Sequence, residues 1–202
     1  MGGRPQTTPR SFVNDLLLRN LLLDRTGVEV LDISPCIADD TRIKFIAKIN
    51  RSLSDVLPVL FLSTPNSKLT RSPMILSFTV EQHNVMIGHD GNLAVTYVKD
   101  EAEKNHIIDR VIDLINRGIK YNLSHRRDLE GMIDEKRRLT PMSLYELFPK
   151  TNCGDCSEEG CFNYVAKVLL GETGYDRCPH VDGAAIRSAV TPVDLGWRIE
   201  FA

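Results

Sequence analysis

Four cysteines fall in the last quarter of the chain, Cys153, Cys156, Cys161 and Cys178, with two, four and sixteen residues between neighbours. Whatever the rest of the polypeptide does, this segment has to accommodate four closely spaced thiols. Two residues between Cys153 and Cys156 let a tight turn aim both sulfurs at one inorganic centre, and Gly154 relieves the steric cost of that turn. Cys161 follows after a stride containing Gly160. Phe162, Val165, Ala166 and Leu169 then recur at helical spacing, which predicts a helix over about Phe162 to Leu170, stopped by Gly171. The amino end of that helix, with its unpaired N–H groups and partial positive charge, suits a negative thiolate-ligated centre. Pro179 cannot continue a helix, so Arg177-Cys178-Pro179 is expected as extended chain turning back toward the other cysteines. Four thiolates are the ligand set of a [4Fe–4S] or [2Fe–2S] centre.

Two other fates for such cysteines stand beside this one. Structural zinc also takes four cysteines, although its common ribbons present two close pairs and only the first pair here is close. A disulfide framework belongs to small secreted domains, whereas this chain has 202 residues and MGGRPQTTPR at its amino end has no apolar core of a secretory leader.

The stretch Leu139 to Val181, LTPMSLYELFPKTNCGDCSEEGCFNYVAKVLLGETGYDRCPHV, resembles the small [4Fe–4S] module of the corrinoid/iron–sulfur protein large subunit and, with slightly different spacing, that of the cluster subunit of Rnf-type electron-transport complexes. The approach Pro141, Tyr145, Pro149-Lys150-Thr151-Asn152, the four cysteines, the helix and Gly171-Glu172 carry the likeness, which covers about a fifth of the chain. It implies that Cys153, Cys156, Cys161 and Cys178 each ligate one iron of a cubane cluster. Two positions depart from the family pattern: Ser157 stands where glycine is common, and Glu159-Gly160 replaces the usual Pro-Thr or Pro-Gly. In corrinoid/iron–sulfur proteins a long cofactor-binding region follows the module; about twenty residues follow Val181 here, so corrinoid binding is not carried over. The acidic residues Asp155, Glu158 and Glu159 would disfavour reduction only slightly. At about 10 Å in a water-like dielectric each is worth roughly 0.4 kcal/mol, about 20 mV, small against the range that burial and amide–sulfur bonds command. A low potential is expected from the likeness more than from these charges.

A chain of this length with 42% hydrophobic content can bury a core and suits one medium domain, residues 1–138, followed by a cluster module, residues 139–202. The net charge of −2 gives no drive toward nucleic acid or anionic membrane, and the longest apolar run, Leu57 to Leu62, is too short to span a bilayer. Unpaired thiols and an oxygen-sensitive cluster point to the reducing cytoplasm of an anaerobic prokaryote.

Before the module, Ser11 offers an N-cap to an apolar helix through Phe12, Val13, Leu16, Leu17 and Leu21 to Leu23, read as core or as a contact between copies. Strands are expected over Val28 to Ile37, Arg42 to Asn50, Met74 to Glu81, Asn84 to Gly88 and Asn92 to Val98, with turns at Asp39-Asp40 and Asp90-Gly91. Val56 to Ser63, broken by Pro58, reads as a short strand or edge piece. Asp100 and Glu103 make a capping box, and Ile107, Ile108, Val111, Ile112 and Ile115 line one face of a helix that Gly118 should end. A second helix over about Ser124 to Arg137 leads into the module. The pattern is α+β: an antiparallel sheet with helices on one face, plus a small carboxy-terminal helical cluster module.

Other chemistry is sparse. Phosphate-binding glycine loops, GxSxG and HExxH are missing from the sequence, and no residue set argues for substrate turnover. His83, His89, His106 and His125 read as surface or satisfied residues; His180, closest to the cysteines, is the substitute ligand if Cys178 is unused. Cys36 reads as core packing. The basic runs His125-Arg126-Arg127 and Lys136-Arg137-Arg138 read as a solvated helix face or as a docking patch for an acidic redox partner such as a ferredoxin. The function expected is single-electron transfer to a redox partner, ferredoxin-like or corrinoid protein, in corrinoid or one-carbon metabolism. A cluster-dependent sensor and a zinc-stabilised interaction module are the alternatives.

Overall fold

The computed structural model describes residues 21–37, 39–125 and 129–197. A six-stranded, wholly antiparallel sheet has the order β1-β2-β6-β5-β4-β3. The strands are β1 (Val28–Pro35), β2 (Ile43–Ile49), β3 (Lys68–Leu69), β4 (Ile75–Val80), β5 (His83–Gly88) and β6 (Asn92–Val98). Alternation decides which face is buried. Cross-strand rows Phe45, Val95, Val85, Phe78 and Ala47, Leu93, Ile87, Leu76 are buried together in the main core, because side chains two apart share a face. Of the residues between them, Ile46 and Met86 are exposed on the other side.

Helices α1 (Leu57–Ser63) and α2 (Glu101–Ser124) supply the rest of that core. Asp100 caps α2 by accepting from the Glu103 N–H at 2.9 Å, while the Glu103 carboxylate reaches back to the Lys99 N–H. The expected isoleucine face is buried, from Ile107 to Ile115.

Three expectations need correction. Val56 to Ser63 is a helix, not a strand: Pro58 sits in the first turn, where its missing N–H costs nothing, and the short apolar run is buried all round. Gly118 does not end α2, which continues to Ser124. A Cβ at Gly118 would lie 2.8 Å from Leu60 Cδ2 and 2.9 Å from Val56 Cγ1, so the glycine lets α2 seat closely on α1. The next helix, α3 (Glu130–Arg138), is shorter than the stretch expected from Ser124. The leucine-rich residues 12–20, and Arg126 and Arg127, lie outside the described residues.

After α3 come α4 (Pro141–Tyr145), α5 (Cys161–Leu170) and α6 (Gly183–Val190). Their buried residues form a second, separate core: Leu144, Phe148, Tyr164, Val165, Val168, Ile186 and Val190, together with Cys156, Cys161 and Cys178. The chain then returns to the first core at Val193, whose N–H donates to Leu62 O at 3.3 Å.

Candidate metal centre

The second core is where the sequence placed its cysteines, and the backbone there is shaped to deliver them. Between Lys150 and Ser157 four residues take left-handed φ angles: Lys150 (60°), Asn152 (51°), Gly154 (80°) and Ser157 (67°). Three of these are not glycine, a conformational cost that the surrounding structure has to hold in place. Ser157 has a left-handed φ, a conformation that glycine would take without the steric cost of a Cβ. Its N–H donates to Gly154 O at 2.7 Å and closes the turn between the first two cysteines.

Cys161 is the first residue of α5, one residue earlier than the spacing suggested. Gly160 has no side chain to cap the helix, and Asn152 does so instead, accepting from the Cys161 N–H at 2.9 Å. A Cβ on Gly160 would lie 3.0 Å from that same Asn152 Oδ1, so glycine here makes room for the cap. At the far end Gly171, with φ of 72°, closes α5 as expected.

Cys178 is returned by a loop that Tyr164 pins. This ring is fully buried, stands edge-on to Phe148 at 5.6 Å, and its hydroxyl donates to Gly174 O at 2.7 Å. Burial, the larger influence, pushes the Tyr164 phenol up.

Cys156, Cys161 and Cys178 are 6–7% exposed, whereas Cys153 is open to solvent. Burial is the main cause of the raised Cys178 thiol pKa; the His180 backbone N–H opposes it, and Cys156, Cys161 and Cys153 reinforce it. The four sulfurs are therefore near enough to repel one another if all were ionised. Bound cations would remove that penalty, which is the electrostatic condition a thiolate-ligated metal centre requires.

Among the described residues, the group of three or more Cys, His, Asp and Glu donor atoms lying within 4.8 Å of one another is Cys153, Asp155 and His180. Four cysteine thiolates are a donor set for zinc as well as for an iron–sulfur centre.

Two of the three acids around the cysteines have partners that sequence spacing did not reveal. Glu158 is buried and paired with Lys167 Nζ at 2.7 Å. Asp155 accepts from His180 Nε2 at 2.6 Å, and that bond, with a lesser one from Cys153, holds its carboxyl below the ordinary range. His180 is thus engaged by Asp155. Cys36 is buried, and the other four histidines do not converge: His83 meets Tyr97 O, His89 meets Met74 O, His106 meets Glu81, and His125 stacks on Tyr121. The basic run loses Lys136, whose amine turns inward to Phe61 O and to Thr64 O at 2.6 Å. Among the described residues no helix is long and apolar enough to cross a membrane.

Residues 148–180 match the family described as "Putative Fe-S cluster". The chain is similar, at 41% identity over 46 residues, to the acetyl-CoA decarbonylase/synthase complex subunit gamma of Methanothermobacter thermautotrophicus; the match covers 23% of this chain and 10% of that one. It is 36% identical over 47 residues to the corrinoid/iron-sulfur protein large subunit of Moorella thermoacetica, covering 23% of this chain and 10% of the relative. The gamma subunit of Methanocaldococcus jannaschii is 37% identical over 43 residues, 21% of this chain and 9% of its own. The chain thus spans about a tenth of the length of these relatives. No solved structure matches it. The matches support an iron–sulfur protein, and the residues matched by the family, 148–180, lie in the second core and its approach loop.

Proposed function

We propose that Cys153, Cys156, Cys161 and Cys178 hold one [4Fe–4S] cluster in a module of residues 139–202, and that this chain passes single electrons through it to a protein partner. The observation that carries the reading is the asymmetry of the cage: three buried cysteines and one exposed. Buried ligands and the amino end of α5 shield the cluster, while the Cys153 corner brings one edge to solvent, where an electron can leave. The bound cluster would supply one-electron redox chemistry. Asn152 orients Cys161, Tyr164 positions the loop carrying Cys178, and the His180 backbone N–H donates to sulfur.

A redox protein, ferredoxin-like or corrinoid-bearing, is the partner class in keeping with relatives named as a complex subunit and as a corrinoid/iron-sulfur protein. The cytoplasm of an anaerobe is the matching setting. An anaerobic redox titration of the reconstituted chain should give a reversible one-electron step with a midpoint below 0 mV. A midpoint above that value, or cluster loss on each cycle with a change in partner binding, would favour a sensor instead.

A further inference from the structure

A second site lies at the seam between the two cores, away from the cysteines. An open cavity of about 480 Å³ is walled by Phe61 of α1, Leu139 after α3 and Leu169 of α5, and three cations line it: Lys68, Lys136 and Arg137. No described Asp or Glu lines it. Its volume falls within the range of small-molecule sites, and its walls combine an apolar body with a few polar groups, as such sites do.

The polar side of the cavity is unbalanced. The Lys136 amine donates to Phe61 O and Thr64 O and lies 4.8 Å from the centroid of the Phe61 ring. These acceptors are neutral; in its protonated form, which a neighbouring carboxylate favours, the Lys136 ammonium has three N–H groups, so one remains for another partner. Arg137 is largely committed: Nη2 donates to Leu69 O at 3.1 Å and Nη1 lies 3.8 Å from Asp134. Lys68 is exposed at the rim. A partly desolvated ammonium without a carboxylate partner is costly, and a bound anion offsets that cost.

We propose that this cleft binds an organic carboxylate with an apolar body, the carboxylate meeting Lys136 with help from Lys68 and the chain lying against Phe61, Leu139 and Leu169. One remaining N–H on the inner cation matches a single carboxylate better than a doubly charged phosphate, for which Arg137 would have to give up its present partners. None of the four cysteines lines this cleft, but Leu169 of α5 does, so the site is tested with the metal centre intact.

Octanoate titrated by calorimetry into the full chain, prepared without oxygen, should bind saturably. Octanol, with the same body and no charge, and inorganic phosphate, with charge and no body, should each bind at least tenfold more weakly. Lys136→Met should weaken octanoate at least tenfold, about 1.4 kcal/mol. Leu139→Trp, which leaves every cation in place and fills the cleft, should do the same while the circular dichroism spectrum stays that of the parent. Octanoate binding equally well to Leu139→Trp, octanol binding as tightly as octanoate, phosphate binding as tightly as octanoate, or no saturable binding would each overturn the proposal.

Discussion

The two cores of this molecule are built on different terms. The first packs one sheet face against α1 and α2 with almost nothing but hydrocarbon: Leu53, Leu57, Leu60, Leu62, Ile107 and Leu114 are fully buried. The second is smaller, three of its ten buried residues are cysteines, and its approach loop bends through left-handed residues that are not glycine. Apolar burial at about 25 cal/mol per Å² can hold the first together unaided. The second has too little such surface for the loops it must order, so its stability should depend on what its sulfurs bind.

The largest effect should come from removing that ligand. Chelation of iron, or Cys161→Ala, should abolish hydrogen-exchange protection in α5 and α6 while the amides of β2, β5 and β6 keep theirs. Unchanged protection in α5 would contradict the division. Next, Gly118→Ala should destabilise only the first core, by about 1–3 kcal/mol, since overpacking against Leu60 and Val56 outweighs the helix propensity of alanine. Thermal unfolding should show this with cluster absorbance per chain unaltered; a stabilised protein would refute the close approach.

Lys136 tests the seam between the cores. Burial lowers its pKa from 10.5 to about 7. Between those values the unfolded chain holds a proton that the folded chain has released, so stability rises with pH across that window and the cost is fully present below it. Because the side chain is only partly shielded by neighbouring atoms, the rise should be about 1–2 kcal/mol rather than the full value of the shift. Lys136→Met should remove it, as followed by urea unfolding at pH 7 and pH 10; parallel profiles would contradict the assignment. The smallest effect is that of Ser157→Gly. Relief of the left-handed strain should exceed the extra chain entropy by about 0.5–1 kcal/mol and slow cluster loss in air, whereas faster loss would show that the Ser157 side chain matters more than its backbone.

What the sequence disclosed follows the same division. The period-two rows of β2 and β6, the isoleucine face of α2, the Asp90-Gly91 turn and the close spacing of the late cysteines were readable because each is a local pattern. Gly91 shows how local: its φ is 88°, and a Cβ there would lie 2.1 Å from Ile49 O. Val56 to Ser63 was misread because a short, wholly buried apolar run has no face to reveal its period. Gly118 was misread because close helix packing and helix termination use the same residue. The capping of Cys161 by Asn152, the Tyr164 to Gly174 bond and the Glu158–Lys167 pair join residues nine or ten apart through a fold that no periodicity announces. The short helices α4 and α6 escaped notice too, α6 because its small residues, Gly183, Ala184 and Ala189, leave only Ile186 and Val190 to mark a buried face.

The most direct test is metal and sulfide analysis of the chain purified without oxygen, with an electron paramagnetic resonance spectrum taken after reduction. About four irons and four acid-labile sulfides per chain, and a signal from a reduced cubane, are expected. A colourless protein carrying one zinc would contradict the reading of these four cysteines.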